Sequence, residues 1–159
     1  MTEITETEAL SRMAAYCSTA EHCRAEIMEK MQRWGISYDA IERILNRLEQ
    51  EKFIDEERFC RAFIHDKYRF AKWGKAKIGQ ALQLKKIPRM TFSSFLNEID
   101  QEEYLSILRE LLAAKRKSIR AENEFELNNK LIRFAFSRGF EMEDIRHCIA
   151  FSDENAYLE

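Results

Sequence analysis

Valine is absent from the chain, glycine occurs four times in 159 residues and proline once, and no Asn-Gly or Asp-Gly pair exists. Missing together are a leading strand former and the turn chemistry of tight hairpins, which excludes an ordinary β protein. No apolar run is long enough for a membrane span, and no export signal is recognisable. Cys17, Cys23, Cys60 and Cys148 lack the spacing of a disulfide framework and read as reduced thiols of a cytoplasmic protein. His22-Cys23 and His147-Cys148 are adjacent pairs, whose side chains point about 100° apart on a helix. No Cys-x-x-Cys or His-x-x-x-His completes them, so no metal is expected.

Catalytic signals are equally scarce. Gly35, Gly74, Gly79 and Gly139 stand singly, so no phosphate-cradling loop forms. His22, His65 and His147 are far apart, and no Ser or Asp relay is suggested by spacing. A net charge of −2 excludes a polybasic nucleic-acid coat. The expectation is a non-enzymatic binding protein without cofactor or membrane contact.

What remains is helix-forming chemistry: Glu, Lys, Arg, Leu, Ala and Met dominate. Residues 21–49 overlay on 72–100 at a constant shift of 51, which aligns Ile27/Ile78, Met31/Leu82, Ile36/Ile87, Ile41/Phe92, Leu45/Leu96 and Leu48/Ile99. A further shift of 53 brings Leu131, Ala135, Phe140, Ile145 and Ile149 onto the template, with Gly139 matching Gly35. Each copy is two helical patterns split at the glycine, or at Lys86 in the second copy, and preceded by a longer helix. Start signals recur: Ser37 before Asp39, Asp55 in "FIDEERF" (53–59), and "EIDQEEY" (98–104). The fold expected is all-α, three tandem three-helix repeats (1–54, 55–99 and 100–159) stacked into an elongated, curved rod.

Charge is segregated along the chain. Residues 57–90 hold ten Lys/Arg against Glu57 and Asp66, whereas 98–110 hold five acids against Arg109. If 58–73 is one helix, Phe59, Phe63, Phe70 and Trp73 share a core stripe, with Asp66 turned toward it. Arg58, Arg61, His65, Arg69 and Lys72 line another face, with Tyr68 beside them. Like charges in a row repel, which favours an anionic partner over plain solvent. Lys75 and Lys77 open the next helix, where free N–H groups add positive potential. "KRKSIR", with Lys115, Arg116, Lys117 and Arg120, sits near a helix end that itself favours cations.

The stretch 35–87, and above all "FIDEERF" followed by a basic helix and "WGKAKIGQAL..KKI" (73–87), resembles the RecX family of bacterial recombination regulators. The likeness covers about residues 12–152. Lys86 departs from it, standing where the family commonly has glycine before the isoleucine. The resemblance implies a cofactor-free monomer that binds the RecA recombinase filament on single-stranded DNA and restrains it, with weak direct DNA contact possible. It has no catalytic residues to carry over. The contacts expected are Arg58, Arg61, Arg69, Lys72, Lys75 and Lys77, then Lys85, Lys86, Lys115, Arg116 and Lys117. The alternative is a direct DNA binder of helix-turn-helix-like units, with Arg133 and Arg138 on phosphate.

Overall fold

Helix boundaries follow from local chemistry. In the computed structural model, which describes residues 3–158 and side-chain environments as far as residue 150, nine α-helices and no strand occur among the described residues. They are α1 (Glu6–Thr19), α2 (Arg24–Arg33), α3 (Tyr38–Gln50), α4 (Glu56–Arg69), α5 (Lys75–Leu84), α6 (Arg89–Asn97), α7 (Gln101–Arg116), α8 (Glu124–Ser137) and α9 (Met142–Leu158). Thr5, Ser37, Asp55, Asp100 and Asn123 each accept a hydrogen bond from a first-turn N–H, supplying the partner a helix start lacks. Pro88 stands at the N-cap of α6, one residue before the first turn.

The repeat extends to single hydrogen bonds. Ile36, Ile87 and Phe140 donate their backbone N–H to the carbonyls of Met31, Leu82 and Ala135 at 3.2–3.3 Å. Gly35, Lys86 and Gly139 each close the turn between the second and third helices at φ 76°, 63° and 96°. The left-handed turn is therefore kept where lysine replaces glycine, at a steric cost of about 1 kcal/mol for its Cβ. The aligned apolar residues are the core: Ile27, Met31, Ile78, Leu82, Leu131, Ala135, Phe140 and Ile145 are at most 2% exposed.

Helices α1–α3, α4–α6 and α7–α9 pack as three successive units. The total accessible surface is 10469 Å², against roughly 8,400 Å² for a compact monomer of this mass, as an extended array requires. The interior is not one stack of equal units. Unit one has its own core around Met13, Met31, Ile44 and Leu48. Units two and three share a second core that runs from Phe59 and Ile78 through Tyr104 to Phe140 and Ile145, and among the described residues Cys23 alone carries a fully buried side chain of unit one into it.

All four cysteines are buried free thiols, and burial pushes Cys23 and Cys60 up to about 11, so they stay protonated. Among the described residues no cluster of three His, Cys, Asp or Glu is placed to hold a metal, and no helix is long and apolar enough to cross a membrane.

Candidate partner-binding surface

The basic segment begins on α4, where the Asp55 side chain accepts the Arg58 N–H at 3.1 Å. The helix ends at Arg69, and Lys72 takes a left-handed φ of 58°, so the chain leaves the helical line before Trp73. Three expectations drawn from one continuous helix are overturned, Phe70 because it lies past the helix end, Tyr68 and Asp66 because the buried stripe of α4 runs through Phe59, Cys60, Ile64 and Tyr68. Phe70 is 76% exposed instead of core, Tyr68 is 6% exposed instead of superficial, and Asp66 faces solvent. Trp73 is half-buried against the shared core.

Tertiary contacts relieve the like-charge repulsion along α4. Arg58 Nε donates to Glu21 of unit one at 2.5 Å. Arg61 lies 3.9 Å from Glu98 and over the ring of Phe95. Arg69 Nε reaches Glu103 of unit three at 2.6 Å and the Tyr68 hydroxyl at 3.3 Å. The basic and acidic segments that lie apart in sequence thus meet in space. The stripe has an internal reason to exist, and its repulsion no longer argues for an external anion.

The remaining predicted residues divide between the two junctions. Lys85 lies 3.8 Å from Glu26 and, with Lys86, borders a groove of about 480 Å³ between α2 and α5. Lys75 Nζ sits 4.8 Å from the Tyr104 ring centre, and the Lys75 backbone N–H donates to the Tyr104 hydroxyl at 2.9 Å. That hydroxyl, fully buried, donates to Glu141 at 3.3 Å, and burial raises both the phenol and the Glu141 carboxyl. Arg116 pairs with Glu124 at 3.3 Å, while among the described residues no carboxylate pairs with Lys72 or Lys117.

Lys77 and Lys115 belong to a constellation the sequence reading missed. Lys67 and Lys77 place Nζ 4.6 and 4.4 Å from the Trp73 ring centre. Lys115 and Arg138 lie 4.8 and 5.3 Å from the Phe134 ring centre. The two groups meet where the loop before α5 touches the turn before α9: Gly74 N–H donates to Arg138 C=O at 2.7 Å and Ala76 N–H to Gly139 C=O at 3.0 Å. A Cβ on Gly74 would fall 2.2 Å from the Gly139 carbonyl carbon, so only glycine permits this approach. The signal was present in the sequence as an aromatic followed four residues later by a cation, at Phe63/Lys67, Trp73/Lys77 and Phe134/Arg138.

Comparison with known proteins bears on the whole array. Residues 9–48, 55–91 and 101–149 match, in order, the families described as the first, second and third three-helix domains of RecX. The chain is 31% identical over 144 residues to the regulatory protein RecX of Prosthecochloris aestuarii, covering 89% of this chain and 91% of that one. It is 31% identical over 123 residues to that of Clostridium tetani, 76% of this chain but 56% of the longer relative. In fold it is similar to the crystal structure of RecX from Lactobacillus salivarius, with a TM-score of 0.81, 19% identity, and coverage of 93% and 96% of the two chains.

Proposed function

The chain belongs to the RecX family, and on that premise we propose that it is a non-enzymatic negative regulator of recombination. It binds the RecA recombinase filament on single-stranded DNA and limits its extension or promotes its disassembly, lowering RecA's ATP hydrolysis, strand exchange and co-protease activity. It acts as a cytoplasmic monomer without cofactor, through units at 1–54, 55–99 and 100–159.

One observation carries this reading: a helical array of three units, matched unit by unit to relatives called regulatory proteins. Repeated units at near-constant spacing offer repeated surfaces, which suit a target that itself repeats along an axis. The cations of units two and three that no described carboxylate pairs supply the attraction for a partner that carries phosphate.

The test is RecA ATP hydrolysis on single-stranded DNA, with this protein titrated in well below the RecA concentration. A fall at substoichiometric amounts is expected. No fall, or one only when the protein is in excess and occupying DNA, would sink the filament reading and favour the direct DNA binder.

A further inference from the structure

Drawing a charged side chain part-way out of water favours a counter-charge beside it. Half-buried Arg24 has Glu42 and Glu49 at 2.8 and 2.6 Å, and the more exposed Arg58 and Arg69 have the acids already named. Lys67, Lys77, Lys115 and Arg138 are also half-buried, yet no described carboxylate lies within ion-pair distance of any of them. They are held instead two to a ring on Trp73 and Phe134. A ring quadrupole attracts a cation by about 0.5–2 kcal/mol and leaves its charge unneutralised. Two such pairs, joined through the Gly74–Arg138 hydrogen bond, form one ordered run of positive charge across units two and three.

We propose that the line Lys67–Trp73–Lys77–Arg138–Phe134–Lys115 is a track for single-stranded nucleic acid, and that this chain meets DNA there and not along the arginine stripe of α4. The proposal rests on the filament reading for its setting. Three of the four cations are lysines, compact point charges that meet phosphate oxygens singly, and Arg138 adds a fork that can meet two. Aromatic rings interleaved with cations along one run are a combination that proteins use to hold single strands, whereas an acidic peptide calls for charge alone.

The experiment is fluorescence anisotropy of a labelled oligothymidylate with the full chain over a sodium chloride series, with RecA ATP hydrolysis measured in parallel. Four phosphate contacts predict a log–log salt slope near −2.8, about 0.7 for each. The combined variant Lys67→Gln, Lys77→Gln, Lys115→Gln, Arg138→Gln should bind at least tenfold more weakly, with most of that slope gone. Arg58→Gln with Arg61→Gln should bind within twofold of the parent. In a Trp34→Phe background the remaining indole, Trp73, should be quenched by the oligonucleotide, a readout that stands even if the combined variant fails to fold.

A parent that does not bind the oligonucleotide at low salt, an unquenched Trp73, or a folded combined variant that binds within twofold overturns the track. Competition by polyglutamate as strong as by oligothymidylate at equal charge overturns it in favour of an acidic protein segment. Oligonucleotide binding that depends on the four cations, without any effect on RecA hydrolysis, keeps the track and sinks the filament reading.

Discussion

The two junctions between units are built from equivalent positions and hold in different ways. Where units two and three meet, Gly74 and Gly139 let the backbones touch and exchange two hydrogen bonds. Where units one and two meet, the matching positions are Cys23 and Lys86, and a groove lies between α2 and α5 instead. The start signals differ in step: Tyr104 ties α5 to Glu141 through its hydroxyl, whereas its counterpart Phe59 has none to offer. The second junction is a continuation of one core. The first is a buried cysteine ringed by surface ion pairs, Arg58–Glu21 and Lys85–Glu26. A repeat can thus conserve its helices and vary its joints, because helix packing needs only apolar volume while backbone contact needs the loss of a Cβ.

Four changes break or sharpen that contrast. Gly74→Ala should cost the most, about 3 kcal/mol in urea unfolding, since its methyl meets backbone that cannot swing aside. Glu141→Gln comes next and depends on pH. Burial, with the neighbouring Asp144, raises the Glu141 carboxyl. The folded state therefore favours the protonated form and loses stability as pH climbs from the ordinary carboxyl range, about 4.3, through the raised value. Urea midpoints should match the parent near about pH 4 and exceed it near about pH 7.

Lys86→Gly should stabilise by up to about 1 kcal/mol by relieving the left-handed Cβ, less glycine's extra freedom when unfolded. Arg58→Ala should cost only about 0.5 kcal/mol, and the loss should shrink at high salt, as expected of an exposed pair. A loss from Arg58→Ala as large as from Gly74→Ala would erase the distinction between the joints. For the same reason Arg69→Glu is a poor probe of partner binding: it sets a carboxylate against Glu103 and loosens the better-built joint.

The all-α class and the repeat were legible because both rest on local spacing. The residues aligned by shifts of 51 and 53 are those whose turns share one hydrogen-bond pattern, and Ser37, Asp55 and Asp100 cap the helices they precede. Phe70 was misplaced because a helical projection holds only while the helix lasts, and α4 ends at Arg69; Tyr68 was misplaced because the buried stripe of α4 runs through Phe59, Cys60, Ile64 and Tyr68, not toward Phe70 and Trp73. The cations around Trp73 and Phe134 were half legible. Each ring has a cation four residues on, but Lys67 and Lys115 reach their rings only through the fold.

By itself the sequence determined the apolar template that turns inward in each unit, where capped helices start, and that the plan is used three times. These are decisions of periodicity and of groups a few residues apart. Only the tertiary structure decided which charges are spent on each other. Arg61 with Glu98 and Arg69 with Glu103 are more than thirty residues apart along the chain. Coulomb energy depends on distance in space, so a segregated charge pattern along a chain stays undetermined until folding brings the two segments together.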